Sequence, residues 1–179
     1  MKKIILLLTI FILTISCGNS EKSKDGSSGS IYKSEIESPC EILSEIEIKE
    51  VLGIPPEAET KMEEKDRLYS MCKYKWESVP YNSEVRVGDI RKSVDNPAEM
   101  YVTMVKDVTA EQFNKAVATY DDGVSQQGIG EMASWSGKKR QVSFFKDGTL
   151  VHVYLRTSAD EEENKKNVLA MAKSMSEKF

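Results

Sequence analysis

His152 is the only histidine in the chain, so acid–base or nucleophilic chemistry near neutral pH would rest on one imidazole. That excludes a His-x-x-x-His zinc pair and leaves a Ser-His-Asp arrangement without a Gly-x-Ser-x-Gly elbow to present its serine. A hydrolase using His152 is therefore the minor reading, and a half-exposed sheet histidine beside Tyr154 and Arg156 is the simpler one. Carboxylate pairs are plentiful: Glu45 with Glu47, Glu63 with Glu64, and Glu161 to Glu163. General acid work wants a carboxyl in apolar surroundings, whereas these stand in charged stretches or at helix starts, where they complement the helix dipole. Gly128-Ile129-Gly130 lacks the third glycine and the following helix of a phosphate-binding turn. Asp121-Asp122 lacks the ligand spacing of a calcium loop. No cofactor and no metal is expected, and the candidate ligand or partner surface is Trp76, Trp135, His152, Tyr154 and Arg156.

Of the 179 residues 40% are hydrophobic and 30% charged, which describes one soluble domain with appendages. The formal net charge is −4, and it falls by two more if Lys2 and Lys3 leave with a leader. That balance, with basic clusters as thin as Lys138-Lys139-Arg140, argues against a nucleic-acid partner. After the first segment no apolar run approaches the roughly 18 to 20 residues of a membrane-spanning helix. The first segment itself has a cationic start, Met1-Lys2-Lys3, then an apolar stretch from Ile4 to Ile15 and a small residue, Ser16. These are the parts of a secretory signal.

Leu13-Thr14-Ile15-Ser16-Cys17 resembles the lipobox of bacterial lipoproteins, with Thr14 where the strict pattern carries leucine. The resemblance implies a signal peptide over 1–16 and a mature chain that begins at Cys17. That cysteine would bear a diacylglyceryl thioether and an N-linked fatty acyl group such as palmitate. At about 0.8 kcal/mol per buried methylene, several acyl chains hold a protein on its bilayer almost irreversibly. The expected location is the exported bacterial cell envelope, on the periplasmic or the surface side, with the membrane engaged through the N-terminal lipid.

Gly18 to Ser30 reads GNSEKSKDGSSGS, small or charged throughout, and residues 17–35 are expected to form a flexible tether. A single domain then occupies 36–179. With Cys17 assigned to lipid, Cys40 and Cys72 remain, and in an oxidising compartment two cysteines have one way to pair. A metal site would need more ligands than these two supply, and no Cys-x-x-Cys redox pair exists.

The elements that must position these residues are marked by caps and periodicity. Ser44 with Glu47 forms a capping box, Leu43 and Ile48 stand at staple positions, and Gly53 before Pro55-Pro56 ends the helix, which predicts Glu45 to Leu52. The charged stretch between Pro55 and Leu68 reads as an exposed connection. Cys72, Tyr74 and Trp76 alternate with polar neighbours, which predicts a half-buried strand. Val85 and Val87 suggest a second strand, and Met100 to Val105 a third after a turn at Asp95-Asn96-Pro97. Thr109 with Gln112 opens a second helix that buries Phe113, Val117 and Tyr120. Met132 to Ser136 reads as a strand. Gln141 to Lys146 and Thr149 to Thr157 form a hairpin closed by Asp147-Gly148, with His152, Tyr154 and Arg156 opposite Val151, Val153 and Leu155. Ser158 and Glu161 suggest a capping box for a final helix with a stripe of Val168, Met171 or Ala172, Met175 and Phe179.

The expected order is α-β-β-β-α-β-β-β-α. The short connections point to an antiparallel sheet of about six strands with helices on one face, an α+β fold. Cys40-Glu41-Ile42-Leu43-Ser44, Val51-Leu52-Gly53, Cys72-Lys73-Tyr74 and Gly128-Ile129-Gly130-Glu131 with Trp135 together resemble a plan shared by small uncharacterised bacterial lipoproteins. The resemblance implies a Cys40–Cys72 pair and no activity. Three functions fit the sequence: a non-catalytic binding module for another envelope component, a carrier of a lipid or other apolar small molecule, and a hydrolase using His152. For the carrier, Trp76, Trp135, Phe144, Tyr154 and several methionines would line a cavity that core packing alone would fill.

Overall fold

The computed structural model describes residues 36–179; the leader 1–16, Cys17 and the tether 17–35 lie outside the described residues. The chain runs α1 (Glu45–Leu52), β1 (Lys61–Asp66), β2 (Ser70–Val87), β3 (Ile90–Val105), α2 (Ala110–Val117), β4 (Val124–Gln126), β5 (Met132–Ser136), β6 (Gln141–Lys146), β7 (Thr149–Arg156) and α3 (Glu161–Ser176). The fold is α+β. All seven strands form one antiparallel sheet in the order β1-β2-β3-β7-β6-β5-β4. Two meanders therefore meet at the centre, where β3 pairs with β7.

Local signals place the starts of α1 and α2 as read, but α2 stops at Val117, so Tyr120 lies beyond it, and of the three side chains expected to be buried only Phe113 is. Ser44 Oγ accepts from Glu47 N while Glu47 accepts from Ser44 N, and Gly53 closes α1 at φ 65°. The Thr109–Gln112 box opens α2 in the same way. At α3 the cap is Asp160, which accepts from Glu162 N and Glu163 N, in place of the expected Ser158–Glu161 box. Ser158, two residues upstream, instead accepts from Asp160 N.

Strand alternation divides the sheet into two faces. Cys72, Tyr74, Trp76, Met100, Val102, Val142, Phe144, Val151, Val153 and Leu155 point to one side, where α1 and α3 cover them with Ile48, Leu52, Val168, Met171 and Met175. Cys40 and Cys72 are joined by a disulfide, with their Cα atoms 5.2 Å apart. The bond ties the segment before α1 to the core face of β2, and Tyr74 Oη donates to the Cys40 carbonyl at 3.3 Å beside it.

Three expectations about the sheet need correction. There are seven strands and not six, because β4 adds a short edge strand and Lys61–Asp66, expected as a loop, pairs with β2 from Lys61↔Lys75 to Asp66↔Ser70. Its charged side chains suit an edge, where one side of the strand faces water. The segments around Cys72–Trp76 and Val85–Val87 are one long strand, and Asp95-Asn96-Pro97 is not a turn. Pro97 sits opposite Pro80, and the ladder bulges between Trp76 and Pro80 because neither proline has an amide to donate. Cross-strand bonds from Asn82 Nδ2 to Asp95 Oδ1 and from Asn96 Nδ2 to Ser83 Oγ, both 2.9 Å, carry the pairing through. Finally, the helices do not all share a face. Phe113 of α2 packs on Phe145 and Leu150, which point away from the main core.

Gly128 and Gly130 both take positive φ, 76° and 55°, in the turn before β5. A Cβ on Gly130 would stand 2.5 Å from the Phe145 carbonyl oxygen, whereas one on Gly128 meets nothing within 4 Å. Gly130→Ala is expected to destabilise by about 2 kcal/mol and Gly128→Ala by about 1, since only the first adds a backbone clash to the left-handed strain. Urea unfolding of the two variants checks the ranking.

Candidate functional site

The residues expected to form a single surface are divided between the faces. Trp76 is fully buried, its ring stacked near Tyr74 at 6.2 Å and its Nε1 donating to Thr60 Oγ1 at 2.8 Å. Trp135 is buried on the same side of β5. Both belong to the main core, as do Phe144, Met100, Met104, Met171 and Met175, so the side chains offered as cavity walls pack on one another. For Trp76, indole size and a partner for the N–H account for this: a large apolar ring is best placed where its one donor is satisfied.

His152, Tyr154 and Arg156 stand on the opposite face, and register supplies their neighbours. Crossing the sheet, one row reads Lys73, Tyr101, Tyr154 and Gln141, and the next reads Met71, Thr103, His152, Ser143 and Ser134. Glu99 lies beside Arg156 in a third. The Tyr101 and Tyr154 rings meet edge to face with centroids 5.6 Å apart. Lys73 Nζ sits 5.1 Å over the Tyr101 ring, and the Arg156 guanidinium 5.2 Å over the Tyr81 ring. Tyr101 Oη donates to Glu99 Oε2 at 3.2 Å. The hydrogen bond to Tyr101 raises the Lys73 pKa, and burial raises that of Tyr154, so the ammonium stays charged and the phenol neutral. Tyrosines and cations are thus held in fixed orientation on an otherwise polar, half-buried surface.

Next to this platform is a denser cluster. Ser143 Oγ lies 2.7 Å from His152 Nδ1, Gln141 Nε2 is 3.0 Å from the same nitrogen, and Tyr120 Oη is 2.9 Å from Ser143 Oγ. Gln141 Nε2 also donates to Tyr120 Oη at 2.9 Å. Gln141 Nε2 donates to Ser143 Oγ as well, at 3.0 Å, and the tautomer of the imidazole sets which partner donates between Ser143 and His152. Burial, then the Lys139 charge, pushes the His152 pKa down to about 4. The serine–histidine pair has the types of a nucleophile and base, but Ser143 is fully buried, and no carboxylate among the described residues joins the network. A nucleophile must be reached by its substrate, and this hydroxyl lies between the sheet and Tyr120. What the network does here is satisfy buried polar atoms and fix the sheet face.

No protein-family model, no curated protein and no solved structure matches this chain. The geometry therefore carries the functional reading alone.

Asp122 accepts from Ser136 Oγ at 2.6 Å and from Lys138 N at 2.7 Å, so its carboxylate, its pKa lowered by these bonds, locks the turn after β5. Among the described residues no group of three or more His, Cys, Asp or Glu side chains is placed to hold a metal ion. Sequence reasoning missed Lys73, Tyr81, Tyr101, Gln141 and Ser143. Alternation of Glu99, Tyr101 and Thr103 with Met100, Val102 and Met104 would have placed Tyr101 on the outer face. Tyr81 and Gln141 become neighbours of this face only through strand pairing.

Proposed function

We propose that the chain is a lipid-anchored lipoprotein of the bacterial cell envelope whose α+β domain is a non-catalytic binding module for another envelope protein. The observation that carries this reading is the half-exposed platform of Tyr101, Tyr154, Lys73 and Arg156 on the sheet face that α1 and α3 leave uncovered. Tyrosine and arginine held rigid by their neighbours are the residue types that dominate binding energy at protein interfaces. The Cys40–Cys72 disulfide supports passage through an oxidising compartment. The leader and Cys17 supply the anchor. The carrier reading has no comparable support, because the aromatic and methionine side chains it needs as walls fill the main core.

The test is recovery of a cross-linked partner from native membranes. Tyr154→Ala and Arg156→Ala are expected each to lower recovery of the same partner by about tenfold with the circular dichroism spectrum unchanged. Cys17→Ala is expected to move the protein out of the membrane fraction. Equal recovery with all three platform states, wild type and both variants, would reject this face as the binding surface.

A further inference from the structure

Beyond Lys75 no described strand pairs with the outer edge of β2, and β7 stops pairing with β3 at Glu99. From Pro80 to Pro97 the sheet continues as a two-stranded ribbon closed at Gly88-Asp89, where Gly88 has φ 62°. Isolated two-stranded ribbons are marginal in water. One face of this one carries Val85, Val87, Ile90 and Val94, each 40 to 66% exposed. The other carries Glu84, Arg86 and Arg91, whose ion pairs within the ribbon are loose: Arg91 to Glu84 and Arg86 to Asp89 are both 3.9 Å, while Arg86 Nε donates to the Gly88 carbonyl at 3.0 Å.

The closing pair Val87↔Ile90 of a two-residue turn exchanges hydrogen bonds inward, as does Val85↔Lys92. The backbone groups of Glu84 and Arg86 then point out of the open edge. Antiparallel pairing of this edge with its own copy about a two-fold axis at Val85 puts Glu84 opposite the second copy's Arg86, twice. It also puts Val85 beside Val85. A closed two-fold contact requires such self-complementarity, and opposite charges directly across a ladder favour pairing while like charges oppose it.

We propose that the outer edge of the β2 ribbon is a self-association site, at which a second copy of this chain adds its own ribbon in antiparallel register centred on Val85. Such an edge buries less than the roughly 1,200 Å² of a standard stable interface, so the dimer is weak and concentration-dependent. If the chain is membrane-anchored as proposed above, confinement to a surface raises the local concentration. The pairing itself does not depend on the anchor.

The test uses the full-length chain in cells and after extraction in mild detergent, with Val85→Cys as a reporter. On the axis, the two introduced thiols face each other and are expected to form a disulfide-linked dimer on a non-reducing gel. Lys92→Cys lies one strand further from the axis in each copy and is expected to give none. Adding Glu84→Arg or Arg86→Glu to the reporter places like charges opposite each other and is expected to lower the dimer about tenfold. Co-expressing the two charge variants restores every opposite pair and should recover a heterodimer. Dimer from Val85→Cys no greater than from Lys92→Cys, or unaffected by either charge change, overturns the proposal. Cross-linking that persists in the extract while Cys17→Ala stays membrane-bound would sink the anchor and leave the self-association standing.

Discussion

Replacing Cys40 with serine is expected to destabilise the domain by about 3 to 4 kcal/mol, replacing Cys72 by a similar amount, and replacing both by no more than either alone. The bond closes a loop between positions 32 apart, and most of its effect is the entropy removed from the unfolded chain. It also fixes the approach to α1. Tyr74 Oη donates to Cys40 O beside the disulfide, so the segment is held to β2 at two points, and within the segment Ser38 Oγ accepts from Cys40 N at 3.0 Å. Leu43 and Ile48, both buried, follow directly and lay α1 onto the core. Urea denaturation of the three variants and the wild type checks the prediction. Additive losses would mean that the two sulfurs act independently.

The second large effect is on acid stability. Folding holds His152 neutral, with its pKa pushed down from 6.5 to about 4 mainly by burial and in part by Lys139. The unfolded chain takes up this proton at about pH 6.5 and the folded chain does not until about pH 4. In that window the unfolded state binds more protons, so stability falls as pH is lowered through it and is fully present only above it. The loss is on the order of 3 kcal/mol by pH 4. His152→Gln keeps a hydrogen-bonding partner for Ser143 and removes the titration, so its stability should vary less between pH 7 and 4. The difference between the two pH profiles isolates this residue from the carboxylates, whose losses are common to both proteins. Parallel profiles would show that the imidazole contributes nothing to the pH dependence.

The elements that could be read in advance are those whose cause is local. Capping boxes at Ser44 and Thr109 act within one turn of helix, and Asp147-Gly148 takes φ 44° and 74° as a primed hairpin turn requires. The alternation around Tyr74 and Val153 assigned a core face for the same reason, since it needs nothing beyond the strand itself. The misreadings have non-local causes. Lys61–Asp66 has the composition of a loop and becomes a strand because β2 offers it an edge. Asp95-Asn96-Pro97 has the composition of a turn and stays extended because Asn82, Ser83 and Pro80 meet it from the facing strand.

The candidate site divides in the same way. Alternation alone put His152, Tyr154 and Arg156 together, but it could not separate them from Trp76 and Trp135, because which face each strand turns to the helices depends on pairing. Nor could it show that Ser143 and Gln141 take the histidine nitrogen, or that Tyr101 and Lys73 extend the platform, as these come from three other strands. From the chain by itself came the disulfide partners, the three helices, the last hairpin and the α+β class, all governed by caps, periodicity and a count of thiols. Tertiary structure alone decided the seventh strand, the helix on the second face, the buried network around His152 and the free ribbon. Each of these depends on contacts between residues distant in sequence, whose geometry no local pattern encodes.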